Sequence, residues 1–215
     1  MLNRKLKYLQ VALNSDLSEA RAIIGRLPKN ERILVEAGTP LIKNFGWQGI
    51  RNIVSWWGGY VVADLKTMDR GSTEATMVFQ AGASGAIALG QAPLETLNSF
   101  IETCNKLQID SMVDMMNVEM PVKILRRLKK LPNVVILHRG VDEETFNKDK
   151  PIPYLQINKI KSTYDTLISI AGGDTIREVQ RATFNGANIV VVWKEFYQAT
   201  AQTAQLAQDF LQAVK

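Results

Sequence analysis

The sequence predicts an α/β fold in which eight parallel strands close into a single (β/α)8 TIM barrel over residues 1–215. Three observations predict it. Short apolar, β-branched runs alternate with longer amphipathic stretches from end to end, the signature of repeated βα units and a parallel sheet. These runs number about eight, which is the count that closes a barrel. The length of 215 residues also suits one such barrel, for which roughly 200 to 250 residues is normal. Periodicity does not demonstrate closure, so a doubly wound open sheet is the alternative; the strand count favours the barrel.

Taken in order, the first strand is expected over Leu9 to Leu13, with a helix pattern at three- and four-residue spacing over Leu17 to Leu27. The second strand runs Ile33 to Glu36 and gives way to the punctuation Gly38-Thr39-Pro40. Gly58-Gly59 precedes a third strand over Val61 to Asp64, and a fourth spans Gly85 to Leu89. Pro93 then introduces a helix over Leu94 to Leu107. A fifth strand is placed at Ser111 to Asp114, a helix at Val122 to Leu131, and a sixth strand at Val134 to Leu137. The stretch from Arg139 to Pro153, carrying Asp142, Glu143, Glu144, Lys148, Asp149 and Lys150, reads as a long irregular loop, a feature more often functional than idle. Leu167 to Ala171, ended by Gly172-Gly173, and Ile189 to Val192 complete the set, and no segment has the composition of an interdomain linker.

The formal charge of +5 and the pI near 9.3 admit anionic partners, but the basic residues are spread along the chain. The densest cluster, Arg126, Arg127, Lys129 and Lys130, falls in a helical pattern where a solvated face is the usual explanation, so neither nucleic acid nor a membrane is expected as partner. No run approaches the ~18 apolar residues of a membrane span. Cys104 is the only cysteine and sits in a helix-like setting, which excludes an intramolecular disulfide and fits a reducing compartment. The N-terminus lacks a long apolar region and a small-residue cleavage site. A cytoplasmic location is expected.

A barrel assembles its active site at the C-terminal ends of its strands, so polar residues that end apolar runs are the first candidates for chemistry. Glu36, Asp64, Asp114, and His138 with Arg139 all stand there. Glu36 and Asp64 on neighbouring strands suit a hard divalent cation such as Mg2+, which takes one or two carboxylates plus waters and substrate oxygens. Any one of these acids taken alone is more simply a helix cap or a lysine partner. Lys66 lies two residues beyond Asp64, with Asp69 three further on; the lysine is either a proton carrier and electrostatic stabiliser or a salt-bridge partner. His138 is the chain's only histidine, either a general catalyst or a structural residue. No Walker loop, GxGxxG, CxxC, HExxH or GxSxG is present, which removes most support for nucleotide, zinc or serine hydrolysis.

LQVALN, VEAGTPLIKNFG, VVADLKTMDRGSTEA, AGASGAIALG, MVDMMNV, LHRGVD and AGGDT, in this order, resemble successive motifs of the 3-hexulose-6-phosphate synthases over almost the whole chain. These belong with the orotidine-monophosphate-decarboxylase-like superfamily, which also holds 3-keto-L-gulonate-6-phosphate decarboxylase as a sister activity. The resemblance implies an aldol condensation of formaldehyde with D-ribulose 5-phosphate, or its reverse, through an enediolate. It implies Mg2+ on Glu36 and Asp64, electrostatic help from Lys66, a proton shuttle at His138 and Arg139 beside it. Asp114 and the Gly172-Gly173 cradle would bind substrate. Asp69 would reach into the partner subunit's site, so a homodimer with shared active sites is implied.

Two positions depart from the family pattern. Asn14 stands where the first strand usually ends in an acid, leaving a neutral amide at a substrate-facing position. After the eighth strand, Trp193-Lys194 replaces a glycine-led segment whose backbone N–H groups approach the phosphate, and Lys194 compensates as a point charge. Two alternatives therefore stand beside the synthase reading: a related metal-dependent decarboxylase or aldolase with a different substrate, and a barrel that has lost catalysis and serves in binding or assembly. The presence together of Glu36, Asp64, Lys66, Asp69 and His138 argues against the last.

Overall fold

The structure, a computed structural model, describes residues 1–147, 151–173, 175–197 and 201–214; Lys148, Asp149, Lys150 and Asp174 of the segments singled out above lie outside these residues. Its strands are β1 (Tyr8–Leu13), β2 (Ile33–Ala37), β3 (Val61–Thr67), β4 (Gly85–Leu89), β5 (Asp110–Asp114), β6 (Val134–His138), β7 (Leu167–Ala171) and β8 (Ile189–Val192). Each pairs in parallel with the next, and β1 pairs with β8, so the sheet is a closed barrel. The expected (β/α)8 architecture is therefore the observed one.

The helices are α1 (Leu17–Ile24), α2 (Thr39–Trp57), α3 (Gly71–Gln80), α4 (Leu94–Leu107), α5 (Pro121–Leu125), α6 (Val141–Phe146), α7 (Leu155–Lys161), α8 (Ile176–Phe184), α9 (Lys194–Tyr197) and α10 (Thr203–Ala213). None of the helices among the described residues is long and apolar enough to cross a membrane.

Side-chain alternation along the strands makes two cores. Leu9, Val11 and Leu13 of β1 face outward and pack with Ile23, Ile33, Val35 and the inner faces of the helices. Tyr8 and Ala12, on the other parity, join Leu34, Val62, Ile87, Met112, Val134, Ile136, Leu167, Ile189 and Val191 in the barrel interior. The interior is thus filled below and becomes polar towards the strand ends, where Gln10, Glu36, Asp64 and Asp114 are buried. This parity places the polar groups at the mouth of the barrel.

Several boundaries differ from expectation for identifiable reasons. α1 stops at Ile24 because Gly25 and Leu27 close its end as a turn before Pro28. Thr39 and Pro40 open α2 rather than precede it, with Gly38 as N-cap and proline in the first turn, where its missing N–H costs nothing. The helix expected over Val122 to Leu131 is only α5: Arg127 and Leu128 form three-residue turns, and the Lys129 backbone N–H goes to Asn98 Oδ1 instead of continuing the helix. Inside the expected loop from Arg139 to Pro153 lies α6, which buries none of its side chains. β3 runs past Asp64 to Thr67 through a register shift against β4, and Lys66 there adopts a left-handed φ of 49°.

Candidate active site

Strand-end residues from most of the barrel converge on one cavity of about 480 Å³. Its walls include Gln10, Asn14, Glu36, Asp64, Lys66, Asp114, His138, Arg139, Gly172 and Trp193. The chemistry centres on Asp114. Its Oδ2 accepts a hydrogen bond from Lys66 Nζ at 2.9 Å and lies 2.7 Å from His138 Nδ1, while its Oδ1 accepts from the Met116 backbone N–H at 2.9 Å. Both oxygens are engaged within the protein, so Asp114 holds the lysine and the histidine in place. Burial by itself disfavours the Asp114 carboxylate, but His138 and Lys66 outweigh it and pull the pKa down to about 2.

The same contact acts in reverse on the histidine. Burial favours neutral His138, yet the Asp114 carboxylate outweighs burial and raises its pKa above the usual value. Lys66 also donates to Asp64 Oδ2 at 2.9 Å; burial opposes its charge, and Asp64 with Asp114 more than restores it, so its pKa is raised. The left-handed backbone at Lys66 is the local device that turns its side chain into this position. Such a conformation is costly for a non-glycine residue and is characteristic of functional sites.

Opposite this cluster, Glu36 and Asp64 face each other from β2 and β3. Burial, and then the Asp64 charge, push the Glu36 carboxyl up to about 7, while the Gln10 side-chain amide donates to Glu36 Oε2. Thr39 Oγ1 lies 2.9 Å from Asp64 Oδ2 and 2.8 Å from the Asp64 carbonyl oxygen. Asp64 Oδ1 and Gln10 Oε1 are buried with no hydrogen-bond partner. An orphaned carboxylate oxygen beside a second carboxylate offers oxygen donors of the kind a hard cation takes. Among the described residues no group of three or more histidine, cysteine, aspartate or glutamate side chains has metal-binding geometry.

The remaining sequence candidates divide. Asn14 and Gly172 line the cavity; Asp69 is exposed and outside it; Gly173 is buried against Ile152 and Glu178. Lys194 does not line the cavity but ion-pairs with Glu144 Oε2 at 2.6 Å. Trp193 does line it, edge-on to Tyr197 with ring centroids 5.2 Å apart. Sequence reasoning missed Gln10, Thr39, Glu144 and Tyr197. Of these Gln10 carried a signal, as a polar residue in an otherwise apolar strand, two positions before Ala12 and four before Asn14 on the same parity, and Glu144 lies in the stretch read as functional without being singled out there.

The chain is similar to several known proteins. The bifunctional enzyme Fae/Hps of Methanosphaera stadtmanae is 41% identical over 212 residues, 95% of this chain and 52% of its own length. The protein of the same name from Methanocella arvoryzae is 37% identical over 97% of this chain and 53% of its own. The chain thus spans about half the length of these relatives. The crystal structure of 3-hexulose-6-phosphate synthase from Salmonella typhimurium superposes with a TM-score of 0.84 at 25% identity, covering 96% of this chain and 98% of that one. With residues 7–208 matching its pattern, the chain belongs to the orotidine 5'-phosphate decarboxylase / HUMPS family.

Proposed function

We propose that this chain catalyses the aldol condensation of formaldehyde with D-ribulose 5-phosphate to D-arabino-hex-3-ulose 6-phosphate, or the reverse cleavage, with a divalent cation, Mg2+, as cofactor. The observation that carries the reading is Asp114 holding Lys66 and His138 together in the cavity that Glu36 and Asp64 also line. Relatives and solved structures named for 3-hexulose-6-phosphate synthase support it.

Glu36 and Asp64 would hold the cation through the orphaned Asp64 Oδ1 and a Glu36 oxygen, with sugar oxygens and water as the other ligands. Bound there, it supplies Lewis-acid stabilisation of negative charge on the sugar's oxygens. The Lys66 ammonium, kept charged by its two carboxylates, stabilises the enediolate that forms when the C1 proton leaves. His138 turns Nδ1 to Asp114, so Nε2 is the atom that takes the C1 proton and protonates the oxygen of the incoming formaldehyde once the C–C bond has formed. Arg139, Gly172, Gly173 and Lys194 would serve the substrate's phosphate, because TIM barrels use the loops after strands seven and eight for it.

The proposal includes a homodimer in which Asp69 completes the partner's site. Exposed Met68 beside it, with exposed Phe45 and Trp47 on α2 and Phe79 on α3, supports an interface on this side of the barrel. It also includes a reducing cytoplasmic setting, supported by the buried free thiol of Cys104. Trp193 in the cavity wall favours, as a second reading, the same chemistry on a differently anchored substrate.

The test is ribulose-5-phosphate-dependent consumption of formaldehyde by purified protein with Mg2+ and with excess chelator. Consumption that the chelator stops is the expected result. Consumption unaffected by chelator removes the metal, and none from folded protein removes the synthase reading.

A further inference from the structure

At the β7–β8 end of the cavity the cations are already in contact with a carboxylate. Lys194, the first residue of α9, pairs with Glu144 Oε2 of α6 at 2.6 Å. Arg139 Nη2 lies 3.8 Å from Glu144 Oε1, 3.9 Å from Glu178 Oε1 and donates to the Gly172 carbonyl at 2.9 Å. Glu144, Arg139 and Gly172 all line the cavity. Trp193 walls the same end, and Gly172, with φ of 98°, is pressed so closely against Arg139 that an added Cβ would sit 2.3 Å from the Arg139 carbonyl oxygen.

We propose that Glu144 is a specificity-determining residue: its carboxylate occupies the Arg139–Lys194 pair and has to be displaced before a substrate's phosphate can be gripped there. The proposal rests on the reading above that the substrate carries a phosphate. Phosphate and carboxylate are recognised by the same donors, so they compete for one pair of cations, and the dianion also gains when the like-charged carboxylate leaves. The side chain of Glu144 is 28% exposed, enough to swing into water. The helix that carries it buries no side chain of its own, so its movement breaks little packing. The consequence is a discriminating site, in which a neutral or singly charged end does not repay separating Glu144 from its partners and a phosphate does.

The experiment uses inorganic phosphate as the probe, titrated calorimetrically into the full chain, so that its result does not depend on turnover. Glu144→Gln should tighten phosphate binding roughly fivefold or more, and Glu144→Ala should shift it in the same direction without the amide's hydrogen bonds. Glu195→Gln, which removes a neighbouring exposed charge, should change it less than about twofold. In a Lys194→Met background the gain from Glu144→Gln should disappear, as coupled sites require. Unchanged, weaker or unmeasurable phosphate binding by the two Glu144 variants overturns the proposal, as does a gain that persists without Lys194. The parent reading fails separately, if wild-type protein with Mg2+ consumes no formaldehyde whatever these affinities are.

Discussion

A single carboxylate organises the reacting groups. Because both oxygens of Asp114 are engaged inside the protein, its replacement removes a holding contact, and Asp114→Asn should act through His138 and Lys66. His138 is the chain's only histidine, so its titration can be followed by NMR without assignment, and the variant should lower its pKa. Stability gives a second readout with a definite sign. Asp114 is depressed to about 2, so its contribution is complete above the ordinary 3.8 and lost as pH falls through 2. His138 is raised, so its contribution is complete below the ordinary 6.5 and lost as pH rises through its folded value. The variant's deficit in urea unfolding, about 1–3 kcal/mol, should therefore be greatest between about pH 4 and 6.5. A deficit that does not vary with pH would mean that Asp114 acts through packing alone. The strand-ending acids, Lys66 and His138 were legible because each breaks an apolar run. Glu144 was not, because it is one of three consecutive acids whose solvation is the simplest explanation until Lys194 is seen paired with it.

At the level of elements, eight strands could be read from sequence because strands buried on both faces are almost continuously apolar, and Gly85–Leu89, Leu167–Ala171 and Ile189–Val192 have the expected ends. Where polar residues enter a strand its end was drawn too early: β3 continues to Thr67, and the shift that brings Lys66 beside Asp64 is a tertiary pairing that no local pattern encodes. α5 shows the opposite error, since apolar spacing continued to Leu131 while competing hydrogen bonds ended the helix at Leu125. The junction of β6 and β7 yields a sharp expectation. Gly172→Ala forces a Cβ to within 2.3 Å of a backbone oxygen at a positive φ, so thermal unfolding should register a loss of about 2 kcal/mol or more. A melting temperature within a degree of wild type would show that the loop after β7 relaxes freely and that Arg139 is not fixed by it.

For the whole molecule the open question is how many chains make a site. Asp69 is exposed, far enough along the chain from Lys66 to leave the cavity that Lys66 lines, and shared sites make that placement useful. Mixing inactive Lys66→Ala and Asp69→Ala proteins under exchange conditions should restore roughly a quarter of wild-type activity, since half the dimers are mixed and each mixed dimer has one intact site. No recovery, with exchange confirmed, would confine Asp69 to its own chain or to no role. The barrel itself bears the expense of the arrangement. A left-handed non-glycine residue, two facing carboxylates and the partnerless Asp64 Oδ1 and Gln10 Oε1 are gathered at the cavity, whereas the interior beneath is largely apolar and filled. Mutations that raise heat resistance are therefore most easily found at the positions the chemistry requires. A lineage selected for durability alone would drift first at Lys66 and Asp64, keeping a sound barrel and losing the arrangement that holds the lysine between two carboxylates.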